Sequence, residues 1–102
     1  MYFDWSNKKT EIGYWLSKDY EGLGLVTKAC SLLINHAFEE LKLHKVEICM
    51  ASSNYRSRSI PERLDFKEEG TIRSYEYLNG TYLDRVTYGL LEEEWRVNSK
   101  KA

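Results

Sequence analysis

The chain of 102 residues is poor in the features that mark secreted, membrane-embedded or nucleic-acid-binding proteins. Its two cysteines, Cys30 and Cys49, lie in apolar patterns, so we expect reduced thiols in a cytoplasmic protein and no disulfide framework. Its apolar runs are only a few residues long, whereas a membrane helix needs about 20. Lysine and arginine number 15 against 16 acidic residues, so no basic excess indicates a nucleic-acid partner. These shortages favour a small domain without membrane or nucleic-acid partners.

The sequence also lacks two further features: residues spaced as metal ligands, and segments with the composition of a linker. His36 and His44 lack cysteine or carboxylate partners at the spacing of a metal site, so we predict no metal. Pro61 is the only proline, and no low-complexity stretch precedes a short polar tail over residues 98–102. The length and this uniformity predict a single domain over residues 1–102 that buries about two-thirds of its unfolded surface.

A glycine-containing stretch over residues 19–27 is the most informative part of the chain. Gly22 and Gly24 lie between an apolar strand and a long amphipathic helix, so the backbone can turn tightly and an anion can approach its amides. The unpaired amides and the positive end of the helix dipole would then hold a phosphate. An ordinary tight turn explains two glycines equally well. The dinucleotide fingerprint and the P-loop are both excluded, because Thr27 replaces the third glycine and no Gly-Lys-Ser/Thr triplet exists.

Hydrophobic periodicity predicts an α/β (α+β) domain with a mixed sheet of about four strands. We expect strands over residues 10–16, 45–51, 70–78 and 82–91, and helices over residues 27–43 and 57–64. The strand–helix–strand unit implies a parallel pair, and Asn79-Gly80 indicates a two-residue hairpin. Pro61 requires the second helix to begin close to it, since proline is tolerated only in a first turn. The exposed edges of such a sheet would allow a second copy to complete it as a homo-oligomer.

Four motifs follow one another along the chain: Ile12-Gly13-Tyr14-Trp15-Leu16, Tyr20-Glu21-Gly22-Leu23-Gly24, Asn54-x-x-Ser57, and Tyr77-Leu78-Asn79-Gly80 followed by Asp84. In this order they resemble the GNAT N-acetyltransferases, and within them the RimJ/RimL-like branch that acetylates the N-termini of ribosomal proteins. The resemblance spans nearly all of residues 10–95 and implies the C-terminal part of the GNAT fold, so we expect an N-terminally truncated domain. That part is a strand–glycine loop–helix–strand unit, a short helix and a C-terminal β-hairpin.

The resemblance implies that the chain binds acetyl-CoA. The backbone of Trp15 and Leu16 would pair with the pantetheine arm as a neighbouring strand does. Asn54, Ser57 and Arg58 would contact the pantetheine or phosphate side, although capping of the second helix also explains Asn54 and Ser57. Backbone amides would hold the pyrophosphate at five consecutive residues: Leu23, Gly24, Leu25, Val26 and Thr27.

The same resemblance assigns the chemistry of acetyl transfer to two residues. Ser57 would lie near the thiol, and Glu76 would act as the base that accepts a proton from the amine. Glu11 and a water relay are alternative bases. The acceptor would be a protein N-terminal α-amine or a small amine. The alternative function is a non-catalytic half-domain that only binds acetyl-CoA or takes part in assembly.

The sequence departs from the family pattern at three positions. Asp19 replaces the usual Gln or Arg of the loop, and adds negative charge near the expected pyrophosphate. Asp65 replaces a glycine after the second helix, where Asp is one of the residues that tolerate unusual backbone angles. Pro61 stands where many members have a tyrosine acid, which excludes a tyrosine acid at that position.

Overall fold

The computed structural model describes residues 2–12 and 23–100, with backbone alone for Tyr2, residues 23–25 and residues 99–100. Its elements follow in chain order: β1 Tyr2–Asp4, β2 Lys9–Ile12, α1 Leu23–Glu39, β3 Lys45–Ala51, α2 Tyr55–Arg63, β4 Lys67–Leu78, β5 Thr81–Leu91 and α3 Glu92–Lys100. The strand predicted over residues 45–51 is found with those bounds. None of the three helices in these described residues is long and apolar enough to span a membrane.

Five strands of the described chain form one mixed sheet, in the order β1-β2-β3-β5-β4. The parallel pair predicted for the strand–helix–strand unit is confirmed, since β2 pairs with β3 from Lys9–Lys45 to Ile12–Ile48. All other neighbours are antiparallel. The expectation of about four strands was wrong by one, because the aromatic stub at the start of the chain forms β1 and covers one side of β2.

The core lies between α1, α2 and one face of the sheet. From α1, the buried side chains are Cys30, Ile34, Ala37 and Phe38, which follow a 3.6-residue period. They pack against buried strand residues that alternate along β2, β3 and β5, as expected for a sheet with one covered face. The strand residues are Thr10, Ile12, Val46, Ile48, Val86, Tyr88 and Leu90. Leu33, an apolar residue of the same helix, is exposed.

The helix α2 begins two residues earlier than its sequence pattern predicts, and Pro61 is buried in its interior. The expectation that Pro61 lies in a first turn was therefore wrong. A proline at that position cannot donate a hydrogen bond to the carbonyl of Ser57, one turn earlier. The helix nevertheless ends in an ordered cap: the amides of Asp65 and Phe66 donate to the carbonyls of Glu62 and Pro61 at 3.3 and 2.9 Å.

The C-terminal part combines one confirmed prediction with one that was wrong. The hairpin of β4 and β5 turns at Asn79 and Gly80, whose φ angles are 51° and 81°, as a two-residue hairpin turn requires. Residues 98–100, however, belong to α3 and not to a polar tail. The indole of Trp95 in α3 packs against the Phe38 ring with 5.2 Å between ring centroids and a tilt of 33°, and its Nε1 donates to Asn35 Oδ1 at 2.9 Å.

Candidate active site

The helix α1 begins with the residues that the sequence motif assigns to phosphate binding. Leu23, Gly24 and Leu25 form its first turn with Val26, and Thr27 follows. The first four amides of a helix lack partners within the helix, and its dipole makes this end positive. No acidic side chain lies in this first turn, so nothing on the helix competes with an anion. Trp15, Leu16 and residues 19–22 lie outside the described residues, so their predicted contacts stay predictions.

Asn54 and Ser57 are brought together at the start of α2 by a capping hydrogen bond. Asn54 is the N-cap, and its Oδ1 accepts a hydrogen bond from the Ser57 amide at 3.2 Å. The capping interpretation is therefore confirmed for Asn54, whereas Ser57 takes part only through its backbone amide. Ser57 is only 2% exposed and does not line the cleft that contains Glu76. Its assignment near the cofactor thiol stays a prediction, as does that of Asn54 beside the pantetheine.

Arg58 contacts three other segments of the protein. Its Nε donates to the Tyr88 hydroxyl at 3.0 Å, its Nη1 to the Ser52 carbonyl at 2.9 Å, and its Nη2 to Glu68 Oε1 at 2.7 Å. Burial raises the pKa of the Tyr88 phenol, and the Arg58 guanidinium partly opposes that rise. Arg58 therefore joins α2 to the end of β3, to β4 and to β5.

The sheet face opposite α1 and α2 is polar. Side chains on this face form ion pairs across the strands, between Lys9 and Glu47 at 3.2 Å and between Lys45 and Glu69 at 2.7 Å. Such paired charges keep a sheet surface soluble and contribute little to stability when they are exposed. Buried and polar residues alternate along β3 and β5, and successive side chains of a strand point to opposite faces of the sheet. This alternation predicts a polar face opposite the core.

A cleft of about 180 Å³ on this face contains both glutamates considered as bases, Glu11 and Glu76. Arg85 pairs with Glu11 and also donates to the Tyr75 hydroxyl at 2.5 Å, with its guanidinium 4.5 Å from the Tyr75 ring. The described part of the chain supplies no hydrogen-bond or ion-pair partner for the carboxylate of Glu76. The complete lining is Glu11, Cys49, Met50, Ala51, Tyr75, Glu76, Leu83, Asp84 and Arg85. Of the three carboxylates that line the cleft, those of Glu11 and Asp84 have partners and that of Glu76 is available.

Three lining residues, Cys49, Tyr75 and Arg85, were not identified from the sequence. Cys49 also borders an adjoining hollow of about 370 Å³, together with Thr87, to whose hydroxyl its Sγ is 3.6 Å distant. Burial raises the pKa of the Cys49 thiol, and hydrogen bonds with Arg85 and Thr87 oppose that rise. The polar alternation of β3 and β5 could have indicated Cys49 and Arg85, whereas Tyr75 reaches the cleft through an irregularity in β4.

Comparison with known proteins identifies the family. The model of the acetyltransferase (GNAT) domain matches residues 1–67. The putative ribosomal N-acetyltransferase YdaF of Bacillus subtilis (strain 168) is 52% identical over 90% of this chain and 50% of its own length. The ribosomal-protein-serine acetyltransferase of Escherichia coli (strain K12) is 35% identical over 80% of this chain and 46% of its own length.

Solved structures agree with this assignment. A crystal structure described as a probable acetyltransferase superposes with a TM-score of 0.85 at 52% identity, over 90% of this chain and 52% of that one. The spermidine/spermine N-acetyltransferase SpeG of Vibrio cholerae, at 22% identity and a TM-score of 0.83 over 94% of this chain and 56% of its own, supports the fold alone. The chain spans about half the length of the curated relatives it matches. The family model, the close relatives and the fold together establish that this chain belongs to the GNAT acetyltransferases, in their RimJ/RimL-like branch.

Proposed function

We propose that the protein transfers an acetyl group from acetyl-CoA to an amine, and that the amine is the N-terminal α-amine of a protein. The observation that carries this proposal is the 52% identity to a putative ribosomal N-acetyltransferase over 90% of the chain. A spermidine N(1)-acetyltransferase of Escherichia coli (strain K12) is only 24% identical, so a polyamine acceptor has weaker support. A separate prediction is that a second copy completes the sheet as a homo-oligomer. The molar mass in solution, measured by light scattering, tests it.

The start of α1 supports acetyl-CoA as the acetyl donor. The described first turn has backbone amides available for the pyrophosphate and no acidic side chain to repel it. Gly24, in that turn, leaves the helix without a side chain where a phosphate group would approach. Acetyl-CoA, when bound, supplies the thioester, and the residues of this chain hold its phosphates and handle the proton of the amine.

Glu76 is the residue that we assign as the base. Its carboxylate lies in the cleft without a partner among the described residues, so it is available to accept a proton from the amine. Glu11 lines the same cleft, but its carboxylate already accepts a hydrogen bond from Arg85. An amine nitrogen that attacks a thioester gains a positive charge, and a carboxylate that takes its proton removes that charge as the new amide bond forms. The C–S bond of the thioester breaks in the same exchange, and CoA leaves as a thiolate that takes up a proton.

Calorimetric titration with acetyl-CoA tests cofactor binding. We expect the wild-type protein to bind, and Gly24→Glu to weaken binding by at least about tenfold, because it adds a negative charge beside the phosphates. The substitution leaves the helix intact, since an acidic residue in a first turn favours it. Leu32→Glu adds the same charge at an exposed position further along α1 and should leave the affinity unchanged. A wild-type protein that does not bind acetyl-CoA would refute the proposed function.

The assignment of Glu76 is tested by the rate of acetyl transfer to a peptide with a free N-terminus. Glu76→Gln should lower kcat by roughly 10²- to 10⁴-fold at neutral pH, because the amide cannot accept the proton. The matched variant Glu11→Gln should have a much smaller effect. The reverse pattern would make Glu11 the base. Binding of acetyl-CoA without transfer to any peptide or small amine would favour the non-catalytic alternative.

A further inference from the structure

The strand β4 contains an irregularity immediately before Glu76. Ile72 pairs with Arg85 and Glu76 pairs with Leu83, so four steps along β4 face only two steps along β5. Ser74 lies within this bulge and has a φ of 47°, in the left-handed region. Bulges of this kind bend a strand locally and change the direction of its side chains, and they are frequent beside active sites.

The bulge decides which residue of β4 lies opposite Leu83, beside the cleft. Without its two additional residues, the register that pairs Ile72 with Arg85 would place Ser74, and not Glu76, opposite Leu83. Glu76 lines the cleft together with Tyr75, Glu11 and Arg85. The position of Glu76 therefore depends on the bulge as well as on the register of the hairpin.

Asp84 holds the bulge through its side chain and is itself held to the end of β3 through its backbone. Its Oδ1 accepts a hydrogen bond from the Ser74 amide at 2.8 Å, inside the bulge. Its backbone carbonyl accepts one from the Ser52 amide at 2.9 Å, at the end of β3. The neighbouring Arg85 holds Tyr75 at the same time, through the hydroxyl and the face of the ring. Residues 84 and 85 of β5 thus hold the Ser74 amide and the Tyr75 side chain, which belong to the two residues directly before Glu76.

We propose that Asp84 is a positioning residue for acetyl transfer, which holds the β4 bulge through the Ser74 amide and so aims Glu76 into the cleft. This inference rests on the proposed function. The part of Asp84 that matters is its hydrogen-bond acceptor and not its charge, because the partner is a neutral backbone amide. A neutral side chain with an oxygen in the same place should therefore replace it.

The kinetic test compares Asp84→Ala with Asp84→Asn. Asp84→Ala should lower kcat by roughly 10- to 100-fold, since a displacement of about 1 Å in a catalytic group costs that much. The affinity for acetyl-CoA should change less than about twofold, because the first turn of α1 lies elsewhere. Asp84→Asn should restore most of the rate. Ser74→Gly should also remain active, since glycine adopts a positive φ freely.

A matched control removes the same kind of bond at a distance. Glu94 also accepts a hydrogen bond from a backbone amide, that of Leu91 at 3.0 Å, but lies on α3 and does not line the cleft. Glu94→Ala should therefore keep the wild-type kcat. A wild-type kcat in Asp84→Ala, or an equal loss in Asp84→Asn, would overturn the positioning role.

The nuclear magnetic resonance signal of the Ser74 amide provides a readout that does not need turnover. We expect this amide proton to shift in Asp84→Ala and to return towards its wild-type position in Asp84→Asn. If the wild-type protein neither binds acetyl-CoA nor transfers acetyl, the proposed function fails, and the amide signal alone decides whether Asp84 holds the bulge. An amide signal that Asp84→Ala leaves in place would overturn the inference.

Discussion

Asp65 carries backbone strain that a glycine would not. Its φ is 65°, and it follows the last turn of α2 at the position where most helices that end this way have glycine. This turn brings the next residue, Phe66, into the core, where it is buried. Asp and Asn tolerate this conformation better than other side chains, since a short polar group can bond locally.

We predict that Asp65→Gly stabilises the protein. Removal of the Cβ should raise the free energy of unfolding by up to about 1 kcal/mol, which corresponds to roughly 4–8 °C in melting temperature for a domain of this size. Asp65→Ala keeps the Cβ without the polar group and should lower the melting temperature. Thermal unfolding of the three proteins measures both effects. Equal melting temperatures for the glycine and alanine variants would contradict the assigned strain.

At the scale of elements, the sequence predicts best those strands and turns whose conformation is determined by neighbouring residues. The strand β3 alternates apolar and polar residues, and Asn79-Gly80 specifies a turn that few other dipeptides adopt. The helix α3 was not predicted because seven of its nine residues are polar or charged, so periodicity is weak. Its stability depends on tertiary contacts of Trp95 with Phe38 and Asn35, which lie far away along the chain.

The contacts of Glu94 near the start of α3 predict that the stability of the protein depends on pH. Glu94 is held in the ionised state by Lys67 and by the Leu91 amide, which lower the pKa of its carboxyl group below the ordinary 4.5. A lowered pKa in the folded state contributes stability that is present above pH 4.5 and is lost as the pH falls through the folded value. Glu94→Ala should therefore cost about 0.5–1 kcal/mol at pH 7, and less at pH 3.

The control for this prediction separates the hydrogen bond from the charge. Glu94→Gln retains an oxygen that can accept from the Leu91 amide, so its melting temperature at pH 7 should lie between those of wild type and Glu94→Ala. Glu93→Ala, at an exposed neighbouring position, should change little. Melting temperatures of the four proteins at pH 7 and pH 3 test the assignment. A Glu94→Ala deficit that persists undiminished at pH 3 would exclude the carboxylate as its cause.

At the scale of the whole molecule, the candidate site depends on contacts that no local pattern contains. Glu11 and Arg85 are 74 positions apart in sequence, and they meet because β2 and β5 both flank β3. The motifs of the family indicate Glu76 and the glycine loop without this information. The pairing of Glu11, and the bulge that brings Tyr75 and Glu76 to one cleft, required the folded sheet.

Arg58 offers a test of how the whole molecule is held together. Family resemblance predicts a contact with phosphate, whereas the structure commits its three donor nitrogens to Tyr88, Ser52 and Glu68. Because these partners lie on different elements, we expect Arg58→Met to lower the melting temperature, since the Ser52 carbonyl and the Tyr88 hydroxyl lose a donor. The affinity for acetyl-CoA, measured by calorimetry well below the transition, should stay unchanged.

Arg63→Met, at an exposed position of the same helix, controls for the loss of a positive charge. If Arg58→Met instead keeps its melting temperature and loses acetyl-CoA affinity, the guanidinium binds phosphate in the complex and exchanges its internal partners for the ligand.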